Sequence, residues 1–199
     1  MNKIAEIFNS LPNIESKKYL EIGIDLGHTF SSIKCIDKLG VDIVDNCGYV
    51  THLMTSDNFF AGNTKKFDII FIDGDHHWQQ IVKDFNNAVK CLNQDGLLFV
   101  HDLIPANERI TKYDLGGDGY KLLVAKLFRR HPNEKIIVCI HNDGLSLFVN
   151  PAPVTNQMAK IMEKVDLKTF YGILKQRRLC SHEMFLYIMQ HIQELVPEW

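Results

Sequence analysis

Along the chain, short unbroken apolar runs alternate with stretches whose apolar residues recur every three to four positions, the pattern of a parallel sheet covered by helices on both faces. The clearest runs are Tyr19 to Ile24 and Phe67 to Ile72, and each leads into glycine and acid: Gly23-Ile24-Asp25-Leu26-Gly27 in the first case, Asp73-Gly74-Asp75-His76 in the second. Parallel strand tips of that composition surround polar ligands.

Leu39 to Val44 reads as a second strand, His52 to Met54 as a weaker third, and Leu97 to Val100 as a fifth that follows an Asn93-Gln94-Asp95-Gly96 turn and ends in His101-Asp102. Ile81, Phe85, Ala88, Val89 and Leu92 form one helical stripe, and Tyr120, Leu123, Val124, Leu127 and Phe128 another. Thr29 to about Ile36 is the expected helix after the first strand, with Asp25 to His28 as the tight turn between them. Ile4, Ile7, Phe8 and Leu11 repeat at helical spacing before Pro12-Asn13, and this first helix is expected to be a flap or docking element outside the sheet. Ile104 to Gly119 lacks periodicity and has the length of a substrate-binding or lid loop.

Ile136 to Ile140 and Leu145 to Val149 flank His141-Asn142-Asp143-Gly144, an Asp-Gly hairpin signal that adds an antiparallel edge to the sheet. The last residues read as helices with apolar stripes at Phe170, Ile173 and Leu174 and at Phe185, Ile188, Met189, Ile192 and Leu195; these are core or a homodimer surface. The expected architecture is an α/β three-layer sandwich with a Rossmann-like, seven-stranded, mostly parallel sheet. It divides into an N-terminal helical extension (1–18), a central domain (19–150) and a C-terminal helical extension (151–199).

Composition narrows the function. With 199 residues, 46% of them hydrophobic, the chain can bury a substantial core. A formal net charge of -2 gives no general reason to bind a nucleic-acid backbone, and Arg129-Arg130-His131 and Lys175-Gln176-Arg177-Arg178 are short runs that read as solvated helix faces. Met1 to Ala5 lacks a signal peptide's apolar region, and no stretch approaches the ~18 apolar residues of a membrane span. The expectation is a soluble, cytoplasmic protein. Its five cysteines, at 35, 47, 91, 139 and 180, are scattered without zinc-ligand spacing and read as reduced thiols.

At the first tip, Gly23-x-x-x-Gly27 lets backbone approach a ligand, but it is not the G-x-G-x-x-G dinucleotide fingerprint. Glu21 beside it would repel phosphates and would suit a cofactor carrying an amino or sulfonium charge. Asp42, ending the second strand, can accept hydrogen bonds from two ribose hydroxyls. Asp57, after the third, could meet an adenine amino group, with Ser56 an equal alternative. Each acid taken singly also suits a turn or helix cap; their recurrence at successive strand ends favours a ligand.

At the second tip, Asp73, Asp75, His76 and His77 leave one strand while His101 and Asp102 leave its neighbour, and adjacent strands lie ~4.8 Å apart. Three readings compete. His76 or His101 is a general base that takes a proton from a hydroxyl; Asp73 and Asp102 bind a divalent ion such as Mg2+; or the histidines only cap the next helix.

This combination resembles the class I S-adenosylmethionine-dependent methyltransferases from about Tyr19 to Val149. Glu21-Ile22-Gly23-Ile24-Asp25-Leu26-Gly27 is similar to the family's glycine motif around the methionine part, Gly40-Val41-Asp42 to its ribose acid, and the hairpin to its reversed seventh strand. The resemblance implies S-adenosyl-L-methionine as cofactor, bound by Glu21, Gly23, Asp25, Gly27, Asp42, Ser56, Asp57 and Asp73. Phe71 to Trp78 and Phe99 to Asp102 resemble a small-molecule subgroup related to macrolide-sugar O-methyltransferases and cephalosporin hydroxylase-like proteins. That implies His76, His101 and Asp102 as catalytic residues and Asp73 and Asp102 as metal ligands. Metal-dependent relatives carry an adjacent acid pair or Asp-Asn pair after the fifth strand, where this chain has Leu103, so the choice between a magnesium ion and a histidine base stays open. Gly116 to Lys121 and Asp143-Gly144 could border the acceptor pocket or simply provide turns.

The expected reaction is methylation of a small hydroxylated acceptor, a sugar or glycan precursor. No Asn-Pro-Pro-Tyr-like site follows Val100, which argues against base N-methylation. The alternatives are a nicotinamide-dependent oxidoreductase and a non-catalytic cofactor-binding protein of the same fold.

Overall fold

The computed structural model describes residues 2–105, 117–139, 144–175 and 179–196. Seven strands, β1 (Lys18–Ile22), β2 (Asp37–Asp42), β3 (His52–Leu53), β4 (Phe67–Ile72), β5 (Leu92–Val100), β6 (Lys135–Val138) and β7 (Ser146–Val149), form one sheet in the order β3-β2-β1-β4-β5-β7-β6. The first five pair in parallel, and β7 runs antiparallel to both β5 and β6. This is the three-layer, mostly parallel architecture expected from the sequence, including the reversed strand of the hairpin; Asp143 of its turn lies outside the described residues.

Alternation along the strands divides the core in two. Leu20, Ile22, Ile70, Ile72, Leu98 and Val100 face one layer, made by α3 (Ser56–Gly62), α4 (Trp78–Cys91), α5 (Tyr120–Phe128), α6 (Asn156–Met162) and α7 (Leu167–Leu174). Tyr19, Ile69, Phe71, Leu97 and Phe99 face the other, made by α1 (Lys3–Asn9), α2 (His28–Ser32) and α8 (His182–Gln190). The Met and Phe stripes of the C-terminal helices are core: Met158, Met162, Phe170, Phe185 and Met189 are all buried. Among the described residues, no helix is long and apolar enough to cross a membrane.

Three local expectations need correction. The first helix is not a flap outside the sheet. Asn2 caps it by accepting from the Ile4 and Ala5 N–H groups, and Phe8 sits edge-on against Tyr19, Phe71 and Phe99, with ring centroids 5.8, 5.3 and 4.6 Å away. The helix after β1 stops at Ser32 rather than near Ile36, because Ile33 and Cys35 are buried while Lys34 and Ile36 point outward, a period-two pattern that belongs to extended chain. Lys38 then donates to the Phe30 and Ile33 carbonyls at 2.7 and 3.0 Å. Finally, Asn93 to Gly96 lies within β5 as an irregularity. Phe67 pairs with Leu92 but Ile69 with Leu97, and Asp95 takes up the extra residues with φ +64°.

Candidate active site

The C-terminal ends of β1, β2 and β4 open into a cleft of about 790 Å³. Gly23 is its pivot. The residue has φ +88°, and a Cβ there would stand 2.2 Å from the Asp73 carbonyl oxygen, so only glycine lets the β1 and β4 tips meet so closely. Asp25, Asp42, Ser56, Asp57 and Asp73 line this cleft, together with Ile43, Met54, Gln80 and Asp84.

Asp42 does more than wait for a ribose. Its Oδ2 accepts from the Ile24 and Asp25 N–H groups at 2.7 and 3.0 Å, and its Oδ1 from Val44 N–H at 3.1 Å. Burial would raise its pKa, but these backbone hydrogen bonds outweigh it and hold the carboxyl below its ordinary range. With three of about four lone-pair sites engaged, Asp42 has roughly one left for a ribose hydroxyl, fewer than the two hydroxyls expected from the sequence. Its main visible work is to shape the Gly23 to Gly27 turn.

Two members of the glycine motif lie behind the cleft. Glu21 is 2% exposed, accepts from the Tyr19 hydroxyl at 2.5 Å and does not line the opening. Burial pushes its pKa up to about 8, so it presents no charge to a sulfonium at neutral pH. The signal was in the strand period: Tyr19 and Glu21, two apart, share the face that packs on α1. Gly27, at φ +72°, caps α2 and packs against Tyr49 and Cys47; it too is absent from the cleft lining.

Sequence reasoning missed Gln80 and Asp84. Gln80 Nε2 lies 3.2 Å from Ser56 Oγ and 3.1 Å from both Asp57 Oδ1 and Asp84 Oδ1, so one amide organises the far wall. Asp84 is buried, and burial pushes its pKa up to about 6. Its spacing, three after Ile81 and four before Ala88, places it in the apolar stripe of α4, where a carboxylate is out of pattern.

Beside this cleft the β4 and β5 tips bring four titratable side chains together. His101 Nδ1 is 3.0 Å from Asp73 Oδ1 and 3.5 Å from Asp102 Oδ1; His76 Nε2 is 3.2 Å from Asp102 Oδ2 and 3.6 Å from Asp73 Oδ1. For both imidazoles burial favours the neutral form, but Asp73 and Asp102 outweigh it and raise both pKa values, that of His101 strongly. Asp73, which burial would raise, is held low by the two histidines. Asp75 and His77 pair separately at 2.6 Å on the exposed side.

The His76 turn is clamped from a segment the sequence treats as loop. Asp118 accepts from Trp78 N–H at 2.8 Å, capping α4, while its own N–H donates to the His76 carbonyl at 3.1 Å. A Cβ at Gly117 would lie 2.1 Å from that same carbonyl oxygen. Lys121 pairs with Asp118 at 2.8 Å, and its Nζ stands 5.9 Å from the centre of the Trp78 ring. Gly116 lies outside the described residues.

Comparison with known proteins agrees with this layout. A family model described as a methyltransferase domain matches residues 44–103, which run from the end of the β2 tip through β5 and stop short of the glycine motif. No curated protein matches the sequence. Solved structures share the fold. The O-methyltransferase TomG of Streptomyces achromogenes, involved in tomaymycin synthesis and determined with S-adenosylmethionine, is 15% identical with a TM-score of 0.53, over 74% of this chain and 78% of that one. The N-methyltransferase NodS of Bradyrhizobium japonicum, in complex with S-adenosylhomocysteine, is 16% identical with a TM-score of 0.53, over 75% and 86%. An O-methyltransferase of Bacillus cereus, also in complex with S-adenosylhomocysteine, is 16% identical with a TM-score of 0.50, over 74% and 79%. The chain has the fold of class I methyltransferases.

Proposed function

We propose that this chain is an S-adenosylmethionine-dependent methyltransferase acting on a hydroxyl of a small molecule, a sugar or glycan precursor. The observation that carries this reading is the meeting of two arrangements at one sheet edge: a glycine-pivoted cleft at β1, β2 and β4, and the Asp73, His76, His101, Asp102 cluster immediately beside it. The solved relatives that hold S-adenosylmethionine or S-adenosylhomocysteine on this fold support it.

When bound, the cofactor supplies an activated methyl group, so the protein's task is alignment and proton removal. Gly23 and Asp25 would hold the methionine end, Asp42 the ribose, and Ser56 and Asp57 the base; all five line the cleft. Asp73, which lines the same cleft, would stand on the acceptor side of the bound cofactor. His101, oriented by its Nδ1 contact with Asp73, would receive the acceptor's hydroxyl proton once it has given up its own, which the two neighbouring carboxylates now favour it keeping. The donors at the tips fit a divalent ion, with Asp73 and Asp102 as its carboxylates. Such an ion would acidify an acceptor hydroxyl and offset the negative charge that raises the pKa of both imidazoles.

The sugar assignment draws support from the far side of the His76 turn. There the Trp78 ring lies beside the Lys121–Asp118 pair, an aromatic surface with a charged, hydrogen-bonding rim. The test is a methyl-transfer assay with labelled S-adenosylmethionine against hydroxylated sugars, sugar nucleotides and catechol-like phenols. Transfer to a sugar hydroxyl supports the reading; transfer only to phenols or amines sinks the acceptor assignment, and failure to bind the cofactor sinks the whole.

A further inference from the structure

The third donor of the site comes from an unexpected place. Asp73 directly follows β4 and Asp102 stands two residues beyond β5, on neighbouring strands whose last pair is Ile72 opposite Val100. Leu103, where a further oxygen ligand would stand, is fully buried in the core. His76 instead returns from the β4–α4 turn. Its Nε2 lies 3.2 Å from Asp102 Oδ2 and 3.6 Å from Asp73 Oδ1, and all three residues offer donor atoms within 4.8 Å of one another.

That nitrogen is buried and lacks a partner of hydrogen-bonding geometry, although two carboxylates flank it. The arrangement is also fixed from outside. Asp118 and Gly117 clamp the His76 carbonyl, and Asp102 is held at φ +54°, a left-handed backbone uncommon for a residue other than glycine. Ligands bound at ~2.1 Å to one centre lie about 3.0–3.4 Å apart for right-angled to tetrahedral geometry; the His76–Asp102 spacing of 3.2 Å falls in that range and the His76–Asp73 spacing of 3.6 Å lies just beyond it.

We propose that Asp73, His76 and Asp102 form a three-donor site for a divalent first-row transition ion, with His76 Nε2 as a ligand and not as the base. One imidazole and two carboxylates suit Mn2+, Co2+ or Zn2+, whereas Mg2+ keeps to oxygen donors and water. This deepens the methyl-transfer reading by naming the ion class of the same site, and its test uses neither cofactor nor acceptor.

The experiment is Mn2+ binding to the metal-stripped full-length protein, followed by loss of the free-ion electron paramagnetic resonance signal and by nitrogen modulation of the bound ion. The expected result is one Mn2+ per chain with nitrogen coupling, displaced by Co2+ but not by an about tenfold excess of Mg2+. His76→Ala should weaken binding about a hundredfold or abolish it. His76→Asp, which restores a carboxylate and guards against misfolding of the alanine variant, should bind without nitrogen coupling and let Mg2+ compete. Absence of Mn2+ uptake by the wild type, ready displacement by Mg2+, or nitrogen coupling that survives in His76→Asp would each overturn the proposal. A protein that takes up Mn2+ but not S-adenosylhomocysteine would keep this site and lose the methyl-transfer reading; the converse would do the reverse.

Discussion

At the ends of β1 and β2 the acids are engaged by backbone N–H groups or by a tyrosine hydroxyl, whereas at the ends of β4 and β5 the polar groups face one another. Asp42 spends its oxygens on the Ile24, Asp25 and Val44 N–H groups, and Glu21 turns away to Tyr19. Asp73, His76, His101 and Asp102 instead hold each other at 3.0 to 3.6 Å. The first tip is therefore a shaped surface whose acids serve geometry, and the second is a charged cluster whose geometry serves its acids. Substitutions at the first should change cofactor affinity and stability; those at the second should change turnover.

Gly23→Val should break the comparison most severely. The left-handed backbone costs roughly 1–2 kcal/mol for a side chain, overpacking adds about 1–3 kcal/mol, and the new Cβ would push the Asp73 carbonyl that joins the two tips. Urea unfolding and S-adenosylhomocysteine titration should both show the loss; a variant with wild-type affinity would contradict the pivot role.

His101→Ala and Asp102→Ala come next, with turnover expected to fall by ~10²-fold or more while cofactor affinity stays near wild type. Parallel loss of affinity and turnover would merge the two tips into one unit. Asp42→Asn should have a smaller effect, about tenfold in cofactor affinity, or ~1.4 kcal/mol, because one carboxamide oxygen can keep only part of the backbone network.

Glu21→Gln should scarcely alter cofactor affinity, yet it has a pH signature. The folded-state pKa of about 8 lies above the ordinary 4.5, so the unfolded chain gives up this proton first as pH rises. Stability tied to the protonated group is complete below about 4.5, declines above it, and is lost as pH passes about 8. The glutamine variant lacks this decline, so its unfolding free energy relative to wild type should grow from pH 5 to pH 8. A constant difference across that range would show that Glu21 is ionised in the fold.

These contrasts also mark what could be seen in the chain beforehand. Contiguous apolar runs such as Phe67 to Ile72, and the Asp143-Gly144 hairpin signal, announce strands because both faces must be apolar or a turn must be tight. The approach of Asp73 and Asp102 followed from their both lying within two residues of the ends of adjacent strands. The side of the sheet that Glu21 takes was not legible in the same way, because a motif gives proximity to a turn while the contact with the Tyr19 hydroxyl belongs to the folded strand. Asp118 was legible only as part of a segment that borders a pocket or makes turns, because its contact with Trp78 spans 40 residues and depends on where the chain returns after α4. The role of His76 was half visible: its place after β4 could be read, but the burial of Nε2 between two carboxylates is a property of the folded turn.

The most direct measurement is a calorimetric titration of S-adenosylhomocysteine into the wild type and Asp102→Ala in parallel, with NAD as the control ligand. The account predicts one equivalent bound by both proteins with closely matching affinity, and no binding of NAD. Absence of binding by the wild type, or binding of NAD in its place, would contradict it.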